Sequence, residues 1–290
     1  MTHERSIPAL SVQLVGGLGS QLSGLAAGWA LAGHFNSPLI LDGSLIPYGS
    51  NGKRRFELAQ FVEDLDTLFE LTSIQTRPNR ARLLAEGLRR KVNLNSTGFV
   101  PSDESNYRDS GESVTAQLKK IQCGATIGGY FYDFAWADFA LSYNFPNRLS
   151  PSFPSPHYLK VLQKISPGDV GIHIRLGDFE NLRHIYPNIP EKYYLEALEN
   201  TRSNRKSRVF LFSDNPKLAQ QKFPRLAGKI DHVVTNYSGQ SSLETMALLS
   251  QCDSIIASNS SFSSWAGWFA SNRGATIFTC LLYTSPSPRD

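Results

Sequence analysis

A chain of 290 residues, 41% hydrophobic and 19% charged, has the composition of a soluble enzyme of one or two domains and enough length to bury a substantial core. Its 29 basic and 25 acidic side chains leave a formal charge of +4, which favours anionic ligands or weak association with acidic surfaces but is too small to argue for nucleic acid. No run of about 18 uninterrupted apolar residues offers a transmembrane helix, and three cysteines, at 123, 252 and 280, show neither a disulfide framework nor metal-ligand spacing, as suits a reducing cytoplasm.

In chain order, residues 10–15 read as a strand, Gly16-Gly-Leu-Gly-Ser-Gln21 as a glycine turn, 21–34 as a helix on small residues, and 38–41 as a second strand ending at Asp42. Such a strand, turn, helix, strand unit builds parallel sheets. The apolar stretch Leu25-Ala-Ala-Gly-Trp-Ala-Leu-Ala32 ends like a signal-peptide cleavage site, but the basic leader is feeble and the glycine turn would be discarded, so a helix is the better reading. Residues 56–71 and 80–91 have amphipathic helical spacing, and 94–111 is a polar loop. The segment 144–156, with four prolines, is the best linker.

Beyond the linker the alternation resumes. Helices are expected at 157–165, 191–200, 216–223, 242–252 and 263–271, and strands at 170–174, 208–212, 230–234, 254–258 and 275–278. The expected architecture is therefore α/β, with two Rossmann-like domains over 1–150 and 151–279 facing across a cleft and ligands lying at the carboxyl ends of strands. The last eleven residues, Cys280-Leu-Leu-Tyr-Thr-Ser-Pro-Ser-Pro-Arg-Asp290, match one reading frame of a sequencing adaptor and are set apart from the fold as a non-native tail, with a final strand and helix the expected losses.

Four segments carry chemistry. In Gly16-Gly-Leu-Gly-Ser-Gln-Leu22 the glycines allow positive φ and close ligand approach to backbone amides, which makes Gly16, Gly17, Gly19 and Gln21 binding candidates; a purely structural turn is an equal reading. In Gly171-Ile-His-Ile-Arg-Leu-Gly-Asp178 the strand alternation puts His173 and Arg175 on one face and Ile172 and Ile174 on the other. Arg175 can meet a diphosphate with two parallel charge-assisted bonds, His173 can donate to the same phosphates or hold the strand end, and the structural alternative is an ion pair of Arg175 with Asp178. Asp214 can accept from guanine or ribose hydroxyls or cap the helix opening at Pro216. Asn259-Ser-Ser-Phe-Ser263 ends a strand before a helix, so Asn259, Ser260, Ser261 and Ser263 can cradle an anion or sugar hydroxyls, while capping by Ser261 or Ser263 is the bland reading.

These motifs together resemble the inverting α-1,2-fucosyltransferases of bacterial type, glycosyltransferase family 11, whose patterns are Gly-Gly-Leu-Gly-Asn-Gln, His-x-Arg-Arg-Gly-Asp, Phe-Ser-Asp-Asp and Asn-Ser-Ser-Phe-Ser-Trp-Trp-Gly. Departures stand at Ser20, Leu176, Asn215, Ser264 and Ala266. The resemblance implies a GT-B-like fold and metal-independent single displacement of L-fucose from GDP-fucose to the 2-OH of a galactoside in a glycan or lipid-linked oligosaccharide. It implies no cofactor and no metal, and Asp64-Leu-Asp66 lies inside a helix candidate rather than at a strand end. The catalytic residues implied are Arg175 and His173, with Asp178 or Glu180 as the base that takes the acceptor proton. The expected location is the cytoplasm, with peripheral association at the inner face of the membrane as the variant. An α-1,6- or protein O-fucosyltransferase, sharing His-x-Arg and a glycine loop, and a non-catalytic GDP-sugar-binding protein are the alternatives.

Overall fold

The computed structural model describes residues 7–44, 46, 55–58, 61, 71–75 (backbone), 113–177, 189–201, 207–234 and 241–280. The helix expected at 80–91, the loop at 94–111, most of the helix expected at 56–71, and the tail beyond 280 lie outside these residues. The chain forms two compact units, Met1–Pro146 and Asn147–Asp290, so the division falls four residues before the one read from sequence.

The first unit runs β1 (Leu10–Gln13), α1 (Leu18–Phe35), β2 (Leu39–Asp42), β3 (Leu71–Gln75), α2 (Val114–Leu118), β4 (Thr126–Gly128) and α3 (Ala135–Leu141). Its four strands are parallel in the order β3-β2-β1-β4. The chain therefore builds outward from β1 to β3 and then returns to place β4 on the other side of β1. β3 corrects the helical reading of Leu71: Thr72 and Ile74 are β-branched, and pairing with β2 supplies the ladder that periodicity alone did not reveal.

α1 is buried from Leu18 to Ala32. Its small residues serve close approach: a β-carbon on Gly24 would come 2.9 Å from Leu14 Cδ2, and one on Gly28 the same distance from Val12 Cγ1. Trp29 anchors the far side, its Nε1 donating to the Tyr143 carbonyl over 2.8 Å and its ring meeting Phe145 edge-on. The helix ends at Asn36, in the left-handed region, where Ser37 N bonds back to the Ala32 carbonyl in the pattern of a C-terminal cap.

The second unit runs α4 (Pro156–Leu162), β5 (Val170–Ile174), α5 (Glu191–Thr201), β6 (Val209–Ser213), α6 (Pro216–Lys222), α7 (Pro224–Ala227), β7 (His232–Val234), α8 (Ser242–Ser250), β8 (Ser254–Ile256), α9 (Ser261–Ser271) and β9 (Thr276–Phe278). The sheet is again parallel, in the order β7-β6-β5-β8-β9. Every residue of β5 and β6 is buried, as central strands covered on both faces require. Val170, Ile172 and Ile174 face a core with Tyr194, Leu198 and Leu226.

Polar groups pin the sheet at both ends. Buried Asp169 holds the Arg208 guanidinium through both carboxylate oxygens, at 3.2 Å from Nε and 2.7 Å from Nη2, which fixes the start of β5 against β6. At the carboxyl ends of β8 and β9 the Tyr193 hydroxyl reaches the Ala257 and Phe278 carbonyls, both at 2.9 Å. Cys252 is fully buried beneath Gly171, and burial pushes its thiol far up. Glu244, 2% exposed, accepts the amide and hydroxyl of Ser155, the residue that caps α4.

Candidate functional site

In each sheet the strand order reverses beside the first strand of the unit: between β1 and β4 in one, between β5 and β8 in the other. Parallel sheets open a crevice at such a point, outside the carboxyl ends of the strands. Those residues singled out from sequence that are described gather at the carboxyl ends of the strands around these two places.

In the second unit, three adjacent strands deliver side chains to the same end. β6 runs into Asp214, β5 carries His173 and runs into Arg175, and β8 is followed by Ser258. Arg175 and Asp214 form an ion pair, Nη1 to Oδ2 at 3.3 Å, with both side chains about one-fifth exposed. The same carboxylate accepts the amides of Leu176 and Gly177 at 3.0 and 2.9 Å. Three bonded nitrogens thus share two oxygens, and the turn after β5 is built around Asp214.

This arrangement corrects one sequence expectation. The helix beginning at Pro216 is capped by Asn215, whose side chain accepts from Leu218 N, and not by Asp214. Arg175 pairs with Asp214, one strand away; Asp178, the partner offered by the sequence, and Glu180 lie outside the described residues.

His173 is 4% exposed. Its Nδ1 lies 2.8 Å from Ser258 Oγ, a contact that spans the β5–β8 reversal, and its ring stacks on Phe262 with centroids 5.0 Å apart. Burial, helped by the positive charge of Arg175, pushes its pKa down to about 3, so the imidazole is neutral at physiological pH. Ser258 Oγ continues to Ser263 Oγ at 3.3 Å, and the Ser263 hydroxyl donates to the Ser258 and Ser260 carbonyls, each at 3.1 Å.

Neither Ser261 nor Ser263 caps α9. The N-cap is Ser260, which makes no side-chain bond to the helix, and the hydroxyls of Ser263 and Ser264 both donate backward to its carbonyl. Asn259 stands between Ser258 and this N-cap, where the strand gives way to the helix.

In the first unit the turn after β1 holds Gly16 at φ +69° and Gly17 as the N-cap of α1. Gln21 is fully buried, and its amide is spent on the backbone: Nε2 donates to the Gly16 and Arg55 carbonyls and Oε1 accepts from Glu57 N. Gln21 thereby clamps the glycine turn against residues 55–57. Gly19 lies in the first turn of α1, its carbonyl accepting from Ser23. Ser20 reaches across the reversal to the Tyr132 hydroxyl at 3.1 Å.

Ser258 and the aromatic pair Tyr130 and Tyr132 went unremarked in the sequence. Ser258 was legible as the last residue expected in a strand, directly before Asn259; the two tyrosines were legible as an aromatic i, i+2 pair after a short apolar run.

A cavity of about 340 Å³ in the second unit, lined by Tyr158, Ser250, Gln251, Phe269 and Arg273 among others, sits where the chain enters β8 and β9. It therefore belongs to the amino end of the sheet, opposite Arg175 and His173. Among the described residues no group of three or more His, Cys, Asp or Glu is placed to hold a metal ion, and no helix is long and apolar enough to cross a membrane.

Comparison with known proteins agrees with this picture. The profile of Glycosyl transferase family 11 matches residues 102–289. A curated relative, the O-antigen biosynthesis glycosyltransferase WbnK of Escherichia coli, is 28% identical, with 88% of each chain covered. Among solved structures, the fucosyltransferase NodZ from Bradyrhizobium superposes with a TM-score of 0.52 at 15% identity, over 98% of this chain and 97% of that one. NodZ α-1,6-fucosyltransferase soaked with GDP-fucose gives 0.50 at 17% identity, over 91% and 93%. The fold is α/β with parallel sheets, GT-B-like.

Proposed function

The chain belongs to glycosyl transferase family 11, the α-1,2-fucosyltransferase family, and from that membership we propose that it transfers L-fucose from GDP-fucose, with inversion, to the 2-OH of a galactoside. The O-antigen role in the name of its Escherichia coli relative favours a glycan or lipid-linked oligosaccharide as acceptor, and so a peripheral position at the inner face of the membrane. The second unit takes the donor and the first the acceptor.

The observation that carries this reading is Arg175, held by Asp214 at the reversal point of the second sheet. As the bond between fucose and the diphosphate breaks, negative charge accumulates on the departing GDP. A guanidinium fixed beforehand by a carboxylate meets that charge without reorganising, so its benefit is larger in the transition state than in the ground state. Asp214 itself is neutralised by Arg175 and two amides, so it acts on the donor through Arg175 rather than by direct contact. The N-terminus of α9, whose N-cap Ser260 makes no side-chain bond to it, adds backbone donors beside Asn259 and Ser261 at the same end of the sheet.

His173 plays a different part from a phosphate donor. Ser263 has one hydroxyl hydrogen and gives it to carbonyls, so toward Ser258 it accepts. Ser258 then donates to Ser263 and accepts from His173, which makes the imidazole the Nδ1–H tautomer. Its Nε2 keeps a lone pair and receives a hydroxyl of fucose or ribose. Asp178 and Glu180 remain the two candidates for the base that takes the acceptor proton. The glycine turn at Gly16, Gly17 and Gly19 lets substrate approach bare backbone in the first unit.

A GDP-release assay with GDP-fucose and a panel of galactosides, followed by linkage analysis of the product, tests the reading. Acceptor-dependent release with an α-1,2 product supports it. GDP binding without turnover on any acceptor identifies a GDP-sugar-binding protein instead.

A further inference from the structure

Among the described residues a side-chain bond crosses the reversal point of each sheet: His173 to Ser258 in the second unit and Ser20 to Tyr132 in the first. The donor chemistry proposed above accounts for the former. The latter belongs to a second crevice, formed by the turn after β1 and the segment after β4.

That segment is Gly129-Tyr-Phe-Tyr132. Phe131 sits at φ +45°, a left-handed conformation that costs a bulky side chain on the order of 1–3 kcal/mol and persists where surrounding structure enforces it. Its ring meets buried Trp136 edge-on, with centroids 6.1 Å apart. With Phe131 turned to Trp136, its two neighbours come together: Tyr130 and Tyr132 stack with centroids 5.3 Å apart and planes 26° from parallel, each only partly buried. Ser20, in the first turn of α1, fixes the Tyr132 hydroxyl. Gly16 closes the other side. A β-carbon there would lie 2.9 Å from Ser20 Oγ and 4.0 Å from Tyr130 Cε1, so the turn meets the tyrosines as bare backbone.

We propose that Tyr130 and Tyr132 form the stacking platform for a pyranose ring of the acceptor. The proposal rests on the transferase reading and deepens it by naming where the acceptor is recognised. A hexose ring presents C–H bonds on one face and hydroxyls on its rim; an aromatic face flanked by hydroxyls matches both. Five groups that build the crevice, Gly16, Ser20, Gln21, Tyr130 and Tyr132, are uncharged, which suits a neutral sugar. Galactosides suit it further, because the axial 4-OH leaves C3, C4 and C5 with their hydrogens on one continuous apolar face.

The test uses the full chain with lactose as probe, in the wild type, Y130L, which removes the ring, and Y130F, which keeps it. Y130L should raise the KM for lactose about tenfold, the scale of one lost aromatic contact, while Y130F, which keeps the ring, raises it clearly less than Y130L and the Kd for GDP in the absence of acceptor is unchanged in both. Saturation-transfer NMR of lactose on the wild type reads the platform independently of turnover. A wild type that shows no saturation of lactose, or a Y130L whose lactose KM is unaltered or whose GDP affinity falls in step, overturns the platform. Lactose saturation that Y130L abolishes, with no transfer in any variant, keeps the platform and overturns the transferase reading instead.

Discussion

Gly177 and Asp214 compete for one space: a β-carbon at residue 177 would lie 2.5 Å from Asp214 Oδ2 and 3.3 Å from its Cγ. Gly177 is present for room, since the carboxylate that grips its amide also grips the amide of Leu176 and the guanidinium of Arg175. G177A should therefore behave as a remote lesion of Arg175. The side chain at 214 must swing away, and misplacement of a transition-state group by about 1 Å costs on the order of 10²-fold in kcat. D214A should cost a similar amount, and the double variant little more than either single one, because both break the same unit. Additive losses in that cycle would show that the two residues act separately.

Arg175 itself is the sharper probe. R175A should lower kcat by about 10²–10³ with the fold intact, the size of losing one preorganised donor to a developing charge. R175K should recover little of that loss, because an ammonium cannot offer two parallel bonds to a diphosphate or keep its fork on Asp214. A loss under roughly threefold in R175A, far below the range for such a donor, would remove Arg175 from the chemistry.

The second half of the chain was readable almost element by element, and the reason is physical. Its central strands β5 and β6 are short apolar runs buried on both faces, and the half is bounded by polar turns and by helices with Ser155, Asn215 and Ser241 as side-chain N-caps. Local pattern and tertiary role coincide there. In the first half they diverge. β3 depends on pairing with β2, and β4 has three residues between a turn and a glycine pair, too few to show a period. The site was legible by residue type but not by partnership. His173 and Arg175 follow from strand alternation, whereas the ion pair of Arg175 with Asp214 depends on β6 lying beside β5. The partnership of Ser258 with His173 follows only once β8 is known to be the other neighbour of β5.

The tautomer of His173 can be read directly. With nitrogen-15 in the imidazoles and H173N as the subtraction that assigns the signal, Nδ1 should resonate as a protonated, pyrrole-type nitrogen and Nε2 as an unprotonated one. S263A should disturb that state although residue 263 does not touch the ring, because Ser258 loses its acceptor and can turn its hydrogen toward Nδ1. An Nε2–H ring in the wild type would refute the relay, as would a tautomer indifferent to S263A.

The same burial makes His173 a liability in acid. Its pKa lies near 6.5 in the unfolded chain and about 3 when folded, so between those values the unfolded state binds the extra proton. Stability contributed by this residue is thus complete above about pH 6.5 and is lost as pH falls toward 3, with a limiting slope of about 1.4 kcal/mol per pH unit. Other groups titrate in the same window, and comparison with H173N removes their share. Between pH 7 and 4.5 the wild type should lose roughly 2–3 kcal/mol more unfolding free energy than H173N in urea titrations, whatever the absolute stabilities. Equal losses in the two proteins would mean that the imidazole takes up its proton in the folded state. In that case Ser258 would face a cation, and the hydroxyl-accepting role of Nε2 would have to be abandoned.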